Sequence, residues 1–203
     1  MTITNPQEAM DLIFIMDRSG SMSGSEADTI GGFNSFIQQE IKKELNTRVT
    51  TILFDHDYEV LYERKPIHEV PELTDREYWV RGSTALLDAI GRTINTLDKK
   101  IDNKTLVVIM TDGYENSSRE YTKEQIKNLI SNHNWEFIYI GADIDSYAEA
   151  RKFGFHESRI ANYRKSKQGI KDVYASVSNA RDFMMEEMKL EEVNWKKDLE
   201  KYD

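Results

Sequence analysis

Two kinds of apolar pattern alternate along this chain. Short unbroken apolar runs fall at 11–16, 49–54, 105–110 and 136–140, and a run with no polar side predicts a strand buried on both faces. Between them lie longer stretches with helical spacing. From 26 to 45, apolar residues recur at Ala27, Ile30, Phe33, Ile37, Ile41 and Leu45, and a second stripe is Leu86, Ile90, Ile94 and Leu97; each is one face of a helix. Thr122 with Gln125 makes a capping box that opens a third helix. A short fourth helix is expected over 144–153, stopped by Gly154. Ile170, Val173, Val177, Ala180, Met184 and Met188 mark a long last one.

Residues 58–63 are expected to pair back on 49–54 through a tight turn at 55–57, and 159–163 to form a last short strand. Strand and helix in this rhythm predict an α/β domain: a Rossmann-like open, mainly parallel sheet with one antiparallel edge strand and helices on both faces. The domain is expected over 1–185, followed by a charged C-terminal helical extension or tail at 186–203. That tail holds seven acids and four lysines, yet Trp195, Leu199 and Tyr202 keep a helical spacing. It reads either as the solvated end of the last helix or as a docking segment for a partner.

Composition narrows the picture. No cysteine is present, so disulfide frameworks and thiolate metal sites are excluded, and a reducing, cytoplasmic location is expected. The longest strongly apolar runs, 12–16 and 106–110, are five residues each, against about 20 for a membrane span. Residues 1–11 lack the pattern of a secretion signal. A net charge of −9 repels a phosphate backbone, which argues against nucleic acid as a partner.

The candidate chemistry lies where strands run out. In open α/β sheets, sites form beyond the carboxyl ends of the strands. Three loops carry hard oxygen donors to that edge: Asp17-Arg18-Ser19-Gly20-Ser21, Gly82-Ser83-Thr84 and Thr111-Asp112-Gly113. Mg²⁺ takes near-octahedral oxygen coordination and keeps waters. Ser19, Ser21 and Thr84 supply hydroxyls, and Asp17 and Asp112 supply charge directly or through water. Two carboxylates against one dication leave it electrophilic toward an outside acid. Gly20 and Gly113 are read as residues that let the backbone turn tightly. Taken singly, each loop is equally an ordinary helix cap or turn.

Taken together, 17–22, 82–88 and 111–113 closely resemble the von Willebrand factor type A (vWA) domain. In that family the three loops form the metal-ion-dependent adhesion site (MIDAS). The resemblance covers roughly 11–185. It implies Asp17, Ser19, Ser21, Thr84 and Asp112 as ligands to Mg²⁺ or Mn²⁺, and a protein partner that presents an Asp or Glu. Glu115-Asn116-Ser117-Ser118 and Gly141-Ala142-Asp143-Ile144-Asp145 are also family-like, the latter similar to small stand-alone bacterial and phage members. Arg18 is expected either to help hold an incoming carboxylate or to point to solvent or pair with Glu115. Asp88, one turn after Thr84, is expected to brace the loops by hydrogen bonds. Asp55, Asp57 and Glu59 read as a hairpin turn, because a calcium loop needs a glycine where Val60 stands.

The leading expectation is therefore a binding module and not an enzyme. One rival is a metal-dependent phosphohydrolase with Asp17 as nucleophile. It wants a second acid where this chain has Ser19, and a lysine on a fitting loop; Lys104 lies at the wrong end of its strand. Another rival is an adaptor subunit of an AAA+ ATPase or nucleic-acid machine with a structural metal.

Overall fold

The computed structural model describes residues 9–142 and 144–203; Asp143 of the family-like 141–145 segment lies outside them. Six strands form one sheet: β1 (Met10–Asp17), β2 (Thr47–Phe54), β3 (Tyr58–Pro66), β4 (Lys104–Thr111), β5 (Glu136–Ala142) and β6 (Ile160–Tyr163). Their order is β3-β2-β1-β4-β5-β6. Every pairing is parallel except β2 with β3, which is the expected hairpin edge.

The unbroken apolar runs are explained by what covers them. Along β1, Leu12, Phe14 and Met16 enter a core beneath α1 (Glu26–Ile41) and α5 (Lys167–Met185). Ile13 and Ile15 point the other way, into a core formed with α2 (Leu86–Leu97), α3 (Lys123–Asn132) and α4 (Ser146–Arg151). Both faces are dry, so alternation has no polar side to show.

The helix ends follow local chemistry. The Thr122 side chain accepts from the Gln125 N–H, and the Gln125 side chain accepts from the Thr122 N–H, so the capping box that opens α3 is formed. Gly154 takes a φ of +89° after α4, as a C-terminal stop requires. The first helix ends at Ile41, short of the expected Leu45; its buried face is Phe33, Phe36 and Ile37, and Ala27 is exposed.

The segment 186–203 does not continue the last helix. Glu187 adopts a φ of +61°, the Met188 N–H donates to the Phe183 carbonyl, and the Glu187 N–H donates to that of Met184. This is a Schellman-type stop made without glycine, and Lys104 pairs with the Glu187 carboxylate at that turn. Turns and a single 3-10 turn at Glu200–Tyr202 follow. Leu190, Trp195 and Leu199 are buried in the α1/α5 core, and the Trp195 indole N–H donates to the Ser158 carbonyl at 2.8 Å. The helical spacing of Trp195, Leu199 and Tyr202 is thus not realised as an α-helix.

Candidate metal centre

β1 and β4 are neighbours at the point where strand order reverses, the place beyond the carboxyl ends of the strands where open α/β sheets put their sites. Asp17 ends β1. One carboxylate oxygen accepts from the Ser19 N–H at 2.6 Å, the other from Thr111 Oγ1 at 2.6 Å. Burial, only partly offset by these bonds, pushes its pKa up to about 6; charge there calls for a nearby cation. The loop then folds back so that Ser19 Oγ and Ser21 Oγ lie 3.0 Å apart. Ser21 Oγ donates to Asp112 Oδ1 at 2.5 Å. Three of the five expected ligands are thereby chained together, and Asp17 joins them through the Ser19 amide.

Thr84 arrives from the loop before α2. Its carbonyl accepts from the N–H groups of Asn116 and Ser117, and its N–H donates to Asn116 Oδ1 at 2.9 Å. Gly113 reports where its hydroxyl points. A Cβ built on Gly113 would stand 2.7 Å from Thr84 Oγ1 and 3.2 Å from Ser21 Oγ. Both hydroxyls converge on that spot, and Gly113 is needed for space and not for an unusual turn. Gly20 likewise has ordinary φ; a Cβ there would lie 3.3 Å from the Gly82 carbonyl. The left-handed residue of the site is Gly82, at φ +67°.

Supporting residues fall into place around these. Asp88 accepts the N–H groups of Arg119, Glu120 and Tyr121, bracing the 115–121 loop. Glu115 caps α2 through the Leu87 N–H at 3.0 Å and accepts from Ser117 and Ser118; its carboxylate is spent on the loop itself. Arg18 neither points to solvent nor pairs with Glu115. It is 2% exposed and binds Asp55 at 2.9 Å and Glu59 at 2.7 Å. The acids of the β2–β3 hairpin, in parallel register beside β1, reach it before Glu115 can.

Asp55, His56 and Asp57 also bring ligand-type atoms within 4.8 Å of one another. Asp55 is already committed there, accepting from both Arg18 and Arg81 at 2.9 Å and from the Asp57 N–H. Burial alone would raise its pKa, but these three donors together hold it below the ordinary carboxylate value. Arg18 and Arg81 both lie against Asp55 Oδ2, and Arg81 also reaches Asp57 Oδ2 at 2.9 Å, so cations of the protein itself already neutralise this cluster.

Sequence reasoning missed three groups. Thr111 Oγ1 fixes Asp17, and the buried Tyr78 hydroxyl donates to the Asp17 carbonyl at 2.6 Å. Lys165, in the loop between β6 and α5, places Nζ 2.9 Å from Asp112 Oδ2 and 3.2 Å from the Ser21 carbonyl. A lysine does therefore reach the acid of the third loop, from a stretch with no motif to announce it.

The family model of the von Willebrand factor type A domain matches residues 11–176. This chain belongs to the vWA family. Among solved structures, the vWA fold found here resembles proximal thread matrix protein 1 of the mussel byssus with a zinc-occupied MIDAS motif, at 16% identity and TM-score 0.63, over 86% of this chain and 46% of that one. It also resembles the pilus adhesin SpaC of Lactobacillus rhamnosus GG, at 12% identity and TM-score 0.71, over 89% and 30%. The vWF domain of the pili tip protein Mfa5 of Porphyromonas gingivalis is matched nearly whole, at 10% identity and TM-score 0.65, over 85% and 96%. At such identities the likeness is one of fold, and the chain spans less than half the length of the first two proteins. No curated protein matches it in sequence.

The donor set of the vWA site fits a hard divalent ion. Its charged groups are carboxylates, its neutral ones hydroxyls, and a protein cation already sits against Asp112. Among the described residues no helix is long and apolar enough to cross a membrane.

Proposed function

We propose that this vWA domain is a divalent-metal-dependent protein-binding module. Asp17, Ser19, Ser21, Thr84 and Asp112 hold Mg²⁺ or Mn²⁺, and an Asp or Glu side chain of a partner protein completes the coordination. One observation carries the reading: the Ser19, Ser21 and Thr84 hydroxyls and the Asp112 carboxylate, from three separate loops, gather beside Gly113, which is kept bare to admit them. Zinc in the MIDAS motif of the mussel protein supports a divalent ion in this kind of site. Bound metal would supply a Lewis-acidic position for an outside carboxylate. In this reading the module spans 1–185, residues 186–203 brace it, and the absence of cysteine favours a cytoplasmic setting.

Two titrations test it. Mn²⁺ should bind the wild type measurably by calorimetry and should not bind Asp112→Ala. An N-acetyl-aspartate amide added to the Mn²⁺-loaded protein should displace metal-bound water, read as a fall in water-proton relaxation enhancement. Metal binding that survives Asp112→Ala, or relaxation that ignores the carboxylate, sinks the proposal.

The Lys165–Asp112 contact is the observation that favours a second reading, the phosphohydrolase. Against it, Asp17 is 1% exposed, which crowds the approach of a phosphate ester, and Ser19 stands where that reaction wants a second acid. Turnover of a generic phosphate ester with Mg²⁺, lost in Asp17→Asn, would establish that reading instead.

A further inference from the structure

Lys165 is held over the site by the fold of its own loop. The Ser166 side chain caps α5 by accepting the Gly169 N–H at 3.0 Å. The Arg164 carbonyl folds onto the same first turn and accepts the Ser166 N–H. A Cβ at position 169 would stand 2.0 Å from that carbonyl oxygen, so Gly169 is what lets 164–166 lie so close. From there the Lys165 ammonium reaches Asp112 Oδ2 at 2.9 Å and the Ser21 carbonyl at 3.2 Å. The Asp112 side chain is fully buried and that of Lys165 is 26% exposed. Ser21 Oγ holds the other Asp112 oxygen, so both oxygens of one expected ligand are engaged, one of them by a cation.

We propose that Lys165 is a tethered cation that sets the affinity of this site: its ammonium neutralises Asp112, and a divalent ion binds by displacing it. This rests on the metal-site reading above. The two carboxylates, Asp17 and Asp112, already match the charge of one dication, so an ammonium left at Asp112 would be surplus positive charge repelling it. By linkage, whatever the Lys165–Asp112 pair contributes to the metal-free protein is subtracted from metal binding.

The test is calorimetric titration of Mn²⁺ into the full chain and into Lys165→Met, which keeps most of the apolar stem, and Lys165→Arg, which keeps the charge. Lys165→Met should bind Mn²⁺ about three- to tenfold tighter than wild type, and Lys165→Arg should stay near wild type. In chelator, Lys165→Met should melt below wild type, because it leaves Asp112 without its counter-charge, and Mn²⁺ should raise its melting temperature by more. Equal affinity within about twofold, or weaker binding by Lys165→Met, overturns the tether while the metal site stands. If neither wild type nor Lys165→Met binds Mn²⁺, the metal-site reading fails and the tether falls with it.

Discussion

Gly113 has no side chain because two hydroxyls already occupy the direction one would take. A methyl group 2.7 Å from Thr84 Oγ1 and 3.2 Å from Ser21 Oγ must push one of them away. Gly113→Ala should therefore fold normally by circular dichroism yet lose about 10- to 100-fold in Mn²⁺ affinity, the usual effect of disturbing the groups around a metal. Unchanged affinity would mean that Thr84 and Ser21 take no part. Arg18 lies next to these ligands in sequence but serves the hairpin. Removing it leaves the buried Asp55 with one guanidinium partner, Arg81, instead of two, and Arg18→Met should cost about 3 kcal/mol by urea unfolding. The folded pKa of Asp55 lies below its ordinary value. Its stabilisation is thus complete above the unfolded value of about 4 and is lost as pH falls through the folded one. In Arg18→Met the acid-induced loss should begin at a higher pH; identical acid limbs would contradict this account. The ligand loops were legible because their donors cluster within a few residues of strand ends. Arg18, Tyr78 and Lys165 were not, because their partners lie 37, 61 and 53 residues away in the chain, and only the folded sheet joins them.

At the scale of elements, α1 and α5 meet where a glycine lets them approach. A Cβ at Gly32 would sit 2.3 Å from Ile170 Cγ2 and 3.0 Å from the Tyr174 ring. The same seam holds the buried pair of Glu40 with Arg181, with Ser178 also donating to Glu40. Gly32→Ala should destabilise by about 1–3 kcal/mol through overpacking, despite the better helix propensity of alanine; a variant more stable than wild type in urea would show that the seam is loosely packed. Of the stripe that spacing alone selects on α1, Phe33 and Ile37 are buried and Ile30 and Ile41 pack partly against the same core, while Phe36 joins them through contact with α5 and Ala27 stays exposed. The strands, the hairpin edge and the α3 capping box could be read directly, since each depends on neighbours within a few residues. Where the last helix stops could not: Glu187 takes the left-handed conformation that glycine usually fills, and nothing local in its residue type announces it.

For the whole molecule, the C-terminal segment closes the side of the sheet that β6 would otherwise leave open. β6 is an edge strand, and unpaired edges are liabilities that proteins cover. Lys196 Nζ donates to the Ile160 carbonyl at 2.5 Å and to the Tyr147 hydroxyl at 2.8 Å. The Asn162 side chain donates to the Asp203 carboxylate, and Tyr202 and Lys201 both reach Asp172 on α5. Those hydrogen bonds and the Lys201 charge overcome burial and hold the Asp172 pKa below its ordinary value. Trp195, 1% exposed, is the apolar anchor of the strap. A charge-rich composition concealed this role, because most of the charges are exposed while Leu190, Trp195 and Leu199 turn in. Trp195→Ala should cost about 3–5 kcal/mol in urea unfolding, the range for emptying a core aromatic site, and should leave Mn²⁺ affinity at the site of Asp17 and Asp112 unchanged, since the strap packs against β6 and α5 and makes no contact with the ligand loops among the described bonds. A loss below about 0.5 kcal/mol, the scale of an ordinary surface substitution, would mean that 186–203 is solvated in solution and free to meet another protein.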